Sequence, residues 1–319
     1  MKNIAFVLLF ISSIIFYSSC TKQRAPVKTP GPNYVAASSF YTANQQQVQT
    51  FTVDSPGTGP IIGKMGTVLS GNASLFMIPG NPSQNVGYPF TLKLIENYPI
   101  KDFILSQLPS VGAGKILQSQ AEISIQAYKG STLLVLRPGK KYPMVLDSNI
   151  TFIAGNNVYY GFPNTVSSRN ITDWTSNVTS LDPTIKQPDT LSKVYLFSKY
   201  CEMFIARMGY VSCAQSYTYP NAGTTITFTP PSNSTNGQNI DIYLVFKGIH
   251  SMMQVYNLTS LAVPTGTTLT YVAISTDSNS GNSLVYDSQT ITVTSGQTVT
   301  LNPVNISNAA LLADLTAFN

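Results

Sequence analysis

The sequence predicts an all-β protein made of two antiparallel β-sandwich domains, the C-terminal one immunoglobulin-like, with one or two short helices. Three observations predict it. Apolar and polar residues alternate with period two from Tyr34 onward, and Gly, Pro and Asn interrupt that alternation every few residues. The 319-residue chain is 43% hydrophobic, enough for two cores of ordinary domain size. Only 10% of residues are charged, and 35 Ser, 34 Thr and 24 Asn fill the polar positions instead. So little charge argues against a coiled coil or a long charged tail, and so much apolar content argues against disorder.

The chain opens on a segment of a different kind. Lys2 supplies a positive start, and the apolar stretch Ile4 to Tyr17 is broken only by Ser12 and Ser13. That stretch is short for a membrane span, which needs roughly 20 residues, but long enough for a secretory signal. Tyr17-Ser18-Ser19-Cys20 resembles the lipobox of bacterial lipoproteins. The resemblance implies a signal peptide over 1–19, a diacylated Cys20 as first mature residue, and a polar tether over 20–32. An ordinary signal with an incidental cysteine is the competing reading. Each buried acyl methylene contributes ~0.8 kcal/mol, so two or more chains would hold the protein to a bilayer. The expected location is the cell envelope, lipid-anchored at the outer membrane, with the periplasmic and extracellular faces both open.

The formal net charge of +5 dissolves when it is located. Lys2, Lys22, Arg24 and Lys28 precede Thr29, and from there on 14 basic residues face 13 acidic ones. Nucleic-acid binding needs a clustered basic face, so no nucleic-acid partner is expected. The tether can lie on anionic headgroups or act as a solvated spacer.

Expected strands in the first half are Gly66 to Leu69, Ala73 to Ile78, Phe90 to Glu96, Glu122 to Tyr128, Thr132 to Leu136 and Tyr142 to Leu146. Pro79-Gly80-Asn81-Pro82 and Arg137-Pro138-Gly139-Lys140 read as turns. Ile100 to Leu108 has apolar residues at helical spacing between Pro99 and Pro109, and predicts a short helix crossing the sandwich. Residues 33–148 are thus expected to form the N-terminal sandwich, and 149–190 a partly ordered connector.

In the second half, strands are expected at Lys193 to Lys199, Phe204 to Met208, Thr224 to Thr229, Ile240 to Phe246, Leu269 to Ser275, Leu284 to Val293 and Gln297 to Leu301. About seven short strands over 191–319 meet the requirement of an immunoglobulin-like sandwich. Ala309 to Phe318 reads as a terminal helix docked on the last sheet.

Ile62-Gly63-Lys64-Met65-Gly66-Thr67, Phe90 to Glu96, Lys101 to Leu105, Gly114 to Ser119 and Ile123 to Ala127 follow one another in a familiar order. They resemble the N-terminal module of a group of uncharacterised Bacteroidota cell-envelope lipoproteins, distantly similar to ZU5-like β-sandwiches. Arg207 to Cys213 and Tyr243 to Lys247 resemble the C-terminal module of that group. The resemblance implies an envelope protein with two β modules and implies no reaction. The chain departs from the pattern at Gln120-Ala121, where a Gly pair is expected. It also has Thr21-Lys22-Gln23-Arg24 where an acidic surface-export run would stand.

The search for chemistry returns little. A nucleophilic triad would need His250, the sole histidine, which lies at an expected strand end without a G-x-S-x-G motif elsewhere. Carboxylates able to cleave glycosides, such as Glu96, Asp102, Glu122, Glu202 and Asp241, are dispersed. Asp277 to Asn282 invites a calcium reading, but it puts Asn282 and Ser288 where an EF-type loop needs Gly and Glu, and a hairpin turn explains it better. No phosphate-binding glycine motif follows a strand. No metal, cofactor or catalytic residue is therefore expected, and the protein is expected not to be an enzyme.

With Cys20 lipidated, Cys201 and Cys213 remain, and an oxidising envelope favours pairing them; two separate buried thiols are the alternative. Aromatic residues are the last candidates. Tyr159, Tyr160, Trp174 and Tyr217 would bind a sugar face or a protein partner if exposed, and fill sandwich ends if buried, the latter being favoured. The seven Asn-x-Ser/Thr sequons read as incidental in so Asn-rich a chain. Asp189-Thr190-Leu191 resembles a Bacteroidota O-glycosylation motif. The function expected is a non-enzymatic, lipid-anchored binding, adhesion or structural module. A glycan-binding accessory lipoprotein of a polysaccharide-uptake system and a pilin-like subunit are the alternatives, and oligomeric state is open.

Overall fold

Alternation of side chains along the strands separates core from surface. Strands Phe90–Asn97, Tyr142–Leu146 and Cys201–Ile205 each bury every second residue, as expected when one face of a sheet is covered. The computed structural model describes residues 31–146, 154–163, 171–177, 193–197, 200–219 and 221–318. The signal, Cys20, most of the tether and connector, and the Asp189-Thr190-Leu191 motif lie outside them. The fold is all-β, with three short helices among the described residues.

The N-terminal sandwich packs a nine-stranded sheet on a five-stranded one. The larger runs Ile171–Thr175, Asn157–Pro163, Gly209–Ser216, Lys115–Lys129, Phe90–Asn97, Gln49–Val53, with three short strands beside this path. The smaller runs Lys193–Leu196, Cys201–Ile205, Tyr142–Leu146, Val68–Leu69, Ile61–Ile62. Leu92, Leu94, Ile123, Ile125, Tyr160 and Val211 of the first sheet meet Tyr142, Met144, Met203 and Ile205 of the second in one core.

The C-terminal sandwich is built on the sheet Ser251–Val255, Asp241–Phe246, Thr268–Asp277, Ser283–Thr292, Val304–Asn305. One face packs on a thin second layer, where Thr227–Thr229 pairs in parallel with Thr298–Thr300, bringing Ile226, Phe228, Val299 and Leu301 onto Leu244, Leu269 and Ala273. Its other face is covered by helices Ser38–Asn44, Ile100–Leu105 and Asn308–Thr316, through Phe40, Tyr41, Phe103, Ile104, Leu311 and Leu315.

The partition of the chain differs from the expected one. The sequence places this stretch in the C-terminal sandwich, with strands at Lys193 to Lys199 and Phe204 to Met208. Instead strands Lys193–Leu196, Cys201–Ile205 and the unforeseen Gly209–Ser216 pair with the N-terminal sheets, and the chain turns at 206–208. The expected connector supplies two strands of the nine-stranded sheet. Conversely Tyr34–Val35 pairs with Thr276 and Asp277 of the C-terminal sheet. Residues Pro32–Asn319 form one compact unit. Periodicity locates strands but not their partners, and that is the reason for the difference. The helix expected to cross the N-terminal sandwich instead lies on the C-terminal sheet, at the seam.

Two motifs gain explanations. At Gln120-Ala121 the register between Lys115–Lys129 and Gly209–Ser216 shifts, leaving Gln120 as the extra residue of a bulge, which does not need glycine. In Ile62 to Thr67, backbone N–H groups of Met65 and Thr67 donate to the buried Glu96 carboxylate at 3.1 and 3.0 Å, and Gln49 Nε2 donates at 2.7 Å. A Cβ on Gly63 would overlap the Glu96 carboxylate, so a larger residue there must push that side chain off its bonds.

Candidate functional site

Two groups of polar side chains among the described residues are candidates for a site: a buried seam between the sandwiches and an open sheet face. The seam forms because Pro99 starts a helix that Ser106 ends, and the following loop carries Ser110 back against Met252. There Ser106 Oγ donates to Asn97 Oδ1 at 2.8 Å, Asn97 Nδ2 to the Glu122 carbonyl at 3.1 Å, and Ser110 Oγ to Glu122 Oε1 at 2.9 Å. Glu122 is fully buried, and its Oε2 has no partner at hydrogen-bond geometry among the described residues. Burial pushes its carboxyl up to about 8, against the pull of the Ser110 and Ser119 hydroxyls, so it is protonated at neutral pH.

This seam does not assemble a reaction centre. His250 spends Nδ1 on the Ser119 carbonyl, packs edge-on to Phe103 with ring centroids 5.5 Å apart, and is depressed in pKa by burial. Glu96 and Glu122 occupy neighbouring strands, but Glu96 pairs with Ile123 and Glu122 with Asn97. Paired residues share a face and successive residues alternate, so the two carboxyls point to opposite sides of the sheet. The pair cannot flank one glycosidic bond. Asp277 bonds the Asn33 and Asn279 amides and the Ser280 hydroxyl, closing the expected hairpin turn. No group of three or more His, Cys, Asp or Glu able to hold a metal occurs among the described residues.

The open face belongs to the nine-stranded sheet. Ladder partners place Thr50, Lys93 and Gln126 in one row, and Ile95 and Ser124 in the next, all directed away from the core. With Val48 they line a shallow groove of about 330 Å³. At its end Lys93 Nζ stands 4.7 Å from the Tyr128 ring centroid, and the Tyr128 hydroxyl donates to Gln126 Oε1 at 3.0 Å. Ser124 is buried and its hydroxyl bonds Tyr210, so the lining offers the exposed Thr50 hydroxyl, an amide, one cation and two aliphatic side chains. It suits the reversible binding of a polar ligand with apolar patches.

The aromatic residues singled out by the sequence do not form this site, nor any single one. Trp174 is 1% exposed and donates Nε1–H to the Pro109 carbonyl at 2.7 Å, packed with Leu108, Leu117 and Ala214. Tyr160 is fully buried in the N-terminal core, its hydroxyl accepting from the Ala206 amide at 2.8 Å. As binding platforms both are corrected, because their polar atoms are spent on backbone within the core. Tyr159 is half-buried beside Trp174, and half-buried Tyr217 packs with Tyr219 against the C-terminal core. Cys201 and Cys213 are buried thiols whose sulfurs lie 3.9 Å apart.

Sequence reasoning missed Lys93, Gln126 and Tyr128, although their alternation with Leu92, Leu94, Ile125 and Ala127 marks them as outward. It also missed Tyr195, Phe197 and Tyr200, exposed at the strand Lys193–Leu196, where the Phe197 and Tyr200 rings stack at 4.5 Å. No helix among the described residues is long and apolar enough to cross a membrane. No protein-family model matches the chain, and comparison with curated proteins gives no match.

Proposed function

We propose that this protein is a non-enzymatic binding module of the bacterial cell envelope, tethered to the outer membrane through a lipid on Cys20 and engaging its ligand on the open face of the nine-stranded sheet. The observation that carries the reading is the groove at Thr50, Lys93 and Gln126, a polar surface with no carboxylate among its lining residues. The anchor rests on the lipobox-like Tyr17-Ser18-Ser19-Cys20, and the polar stretch after it serves as the tether. Envelope export also suits a charge-poor, Ser- and Thr-rich surface.

Within that reading a glycan is the ligand class favoured. The Thr50 hydroxyl, the Gln126 amide and the Lys93 ammonium can bond sugar hydroxyls, while Ile95 and Val48 cover the apolar face of a pyranose. The test is calorimetric titration of the protein against a panel of soluble oligosaccharides, with Lys93→Ala and Gln126→Ala as controls. Binding that both variants weaken supports the reading; no heat with any member counts against a glycan ligand. The pilin-like alternative draws less support, because the N-terminal strand that joins the C-terminal sheet is only two residues long.

A further inference from the structure

We propose that Cys201 and Cys213 form a covalent modification site, closing an inter-sheet disulfide when the chain folds in an oxidising compartment. This goes beyond the ligand-binding reading and does not depend on which ligand the groove takes. Cys201 begins a strand of the five-stranded sheet, opposite Leu146 and Leu196. Cys213 lies in the nine-stranded sheet, opposite Ala121 and Val158. The chain turns between the two sheets at residues 206–208, which brings the two side chains to face each other across the sandwich. Their sulfurs are 3.9 Å apart, and both residues are fully buried. Bonding requires the sulfurs to close from 3.9 Å to about 2.05 Å, with the two side chains already facing each other.

The chemistry is thiol–disulfide exchange with a disulfide donor. One cysteine thiolate attacks a donor sulfur, the donor S–S bond breaks, and one donor thiolate leaves. The second cysteine thiolate attacks the mixed disulfide at the protein sulfur and expels the other donor thiolate. The two cysteines give up two protons and two electrons, and the donor is reduced to two thiols. In the folded state the hydrogen bond with Cys201, followed by burial, holds the Cys213 thiol well above its ordinary range. The thiolate is the attacking species, so exchange belongs to the stage before the sandwich closes. The bond then fixes the corner where the chain passes from one sheet to the other.

Peptide mapping decides the matter. The full chain is exported to a bacterial periplasm, its free thiols are alkylated under denaturing conditions, and it is digested with trypsin without reduction. Cleavage after Lys199, Arg207 and Lys247 puts the two cysteines on separate peptides, 200–207 and 208–247. The proposal predicts that these two peptides travel as one linked species that reductant separates. Recovery of both as alkylated single peptides overturns it, as does linkage of either to Cys20. As a second reading, reductant lowers the thermal midpoint of the wild type by several degrees and leaves a Cys201→Ser, Cys213→Ser double variant unmoved. An equal response of the two proteins overturns the proposal.

Discussion

Ser119 and His250 bond each other twice across the seam between the sandwiches. The Ser119 amide donates to the His250 carbonyl at 3.2 Å, and His250 Nδ1 donates to the Ser119 carbonyl at 2.5 Å. The Ser110 amide adds a third bond, to the Met252 carbonyl at 2.7 Å. His250 adopts a left-handed backbone, with φ of 46°, and this turns its ring back onto Ser119. The only histidine of the chain is thus a clasp: it joins the long strand Lys115–Lys129 of one sandwich to the edge of the other.

The clasp gives a mutational prediction. His250→Asn keeps a residue type tolerated at positive φ but is too short to satisfy the Ser119 carbonyl. The expected loss is about 1–3 kcal/mol in urea unfolding, the cost of stranding a buried acceptor. Because burial depresses the imidazole, its contribution is complete above the ordinary histidine range and is lost as pH falls below it, when the unfolded chain binds the extra proton. His250→Asn should therefore flatten the acid side of the stability profile; an unchanged acid slope would show the ring to be solvated.

Glu122 acts in the opposite sense. Its folded carboxyl titrates at about 8 against an ordinary value of 4.5. Between those limits the folded state holds a proton that the unfolded chain has released, so rising pH destabilises the fold by up to about 1.4 kcal/mol per pH unit. Glu122→Gln cannot ionise and should lose this slope between neutrality and pH 8, becoming the more stable protein at the alkaline end. Parallel curves for variant and wild type would contradict the burial argument.

At the other end of the N-terminal sandwich, Glu96 holds the turn 63–67 through two amides and Gln49. Glu96→Ala strands those neutral donors and should cost about 1–3 kcal/mol for each one left buried without a partner. Gly63→Ala should destabilise in the same direction and by less, since its methyl would push the same carboxylate off its bonds. Midpoints of guanidinium unfolding measure both. Retention of wild-type stability by Gly63→Ala would show that the cradle is loose.

Trp174 reports on the strand Ile171–Thr175. Buried and bonded to Pro109, it should emit at shorter wavelength than an exposed indole and resist quenching by acrylamide. Groove ligands should leave that emission unchanged, because Trp174 is not among the groove residues. Emission typical of exposed tryptophan would place the strand elsewhere.

Much of the architecture was legible as local pattern. Thr132–Leu136 and Tyr142–Leu146 match their expected limits to the residue, and Gly80 and Gly139 take the positive φ that their turns require. Partnership was not legible. Nothing in the period of Cys201–Ile205 says that it pairs with Tyr142–Leu146 rather than with the next strands of the chain, because alternation encodes a face and not a neighbour. The helix at Ile100 was visible in its spacing, yet its target depended on apolar residues at 243–274 that carry no local mark of it. The groove was hidden for a related reason. Polar outward residues of a half-buried strand look alike whether they face bulk water or a ligand. Of the aromatic residues that stood out in sequence, Tyr160 and Trp174 are core packing, the alternative the sequence favours, while Tyr159 and Tyr217 are half-buried.

The most direct test of the central claim is binding at the open sheet face, measured by titrating the oligosaccharide panel into wild type, Lys93→Ala and Tyr128→Ala while circular dichroism confirms their folds. The account predicts saturable binding by wild type to at least one member, weakened several-fold or more in both variants. Wild-type binding that both folded variants retain in full, or no binding to any member, would contradict it.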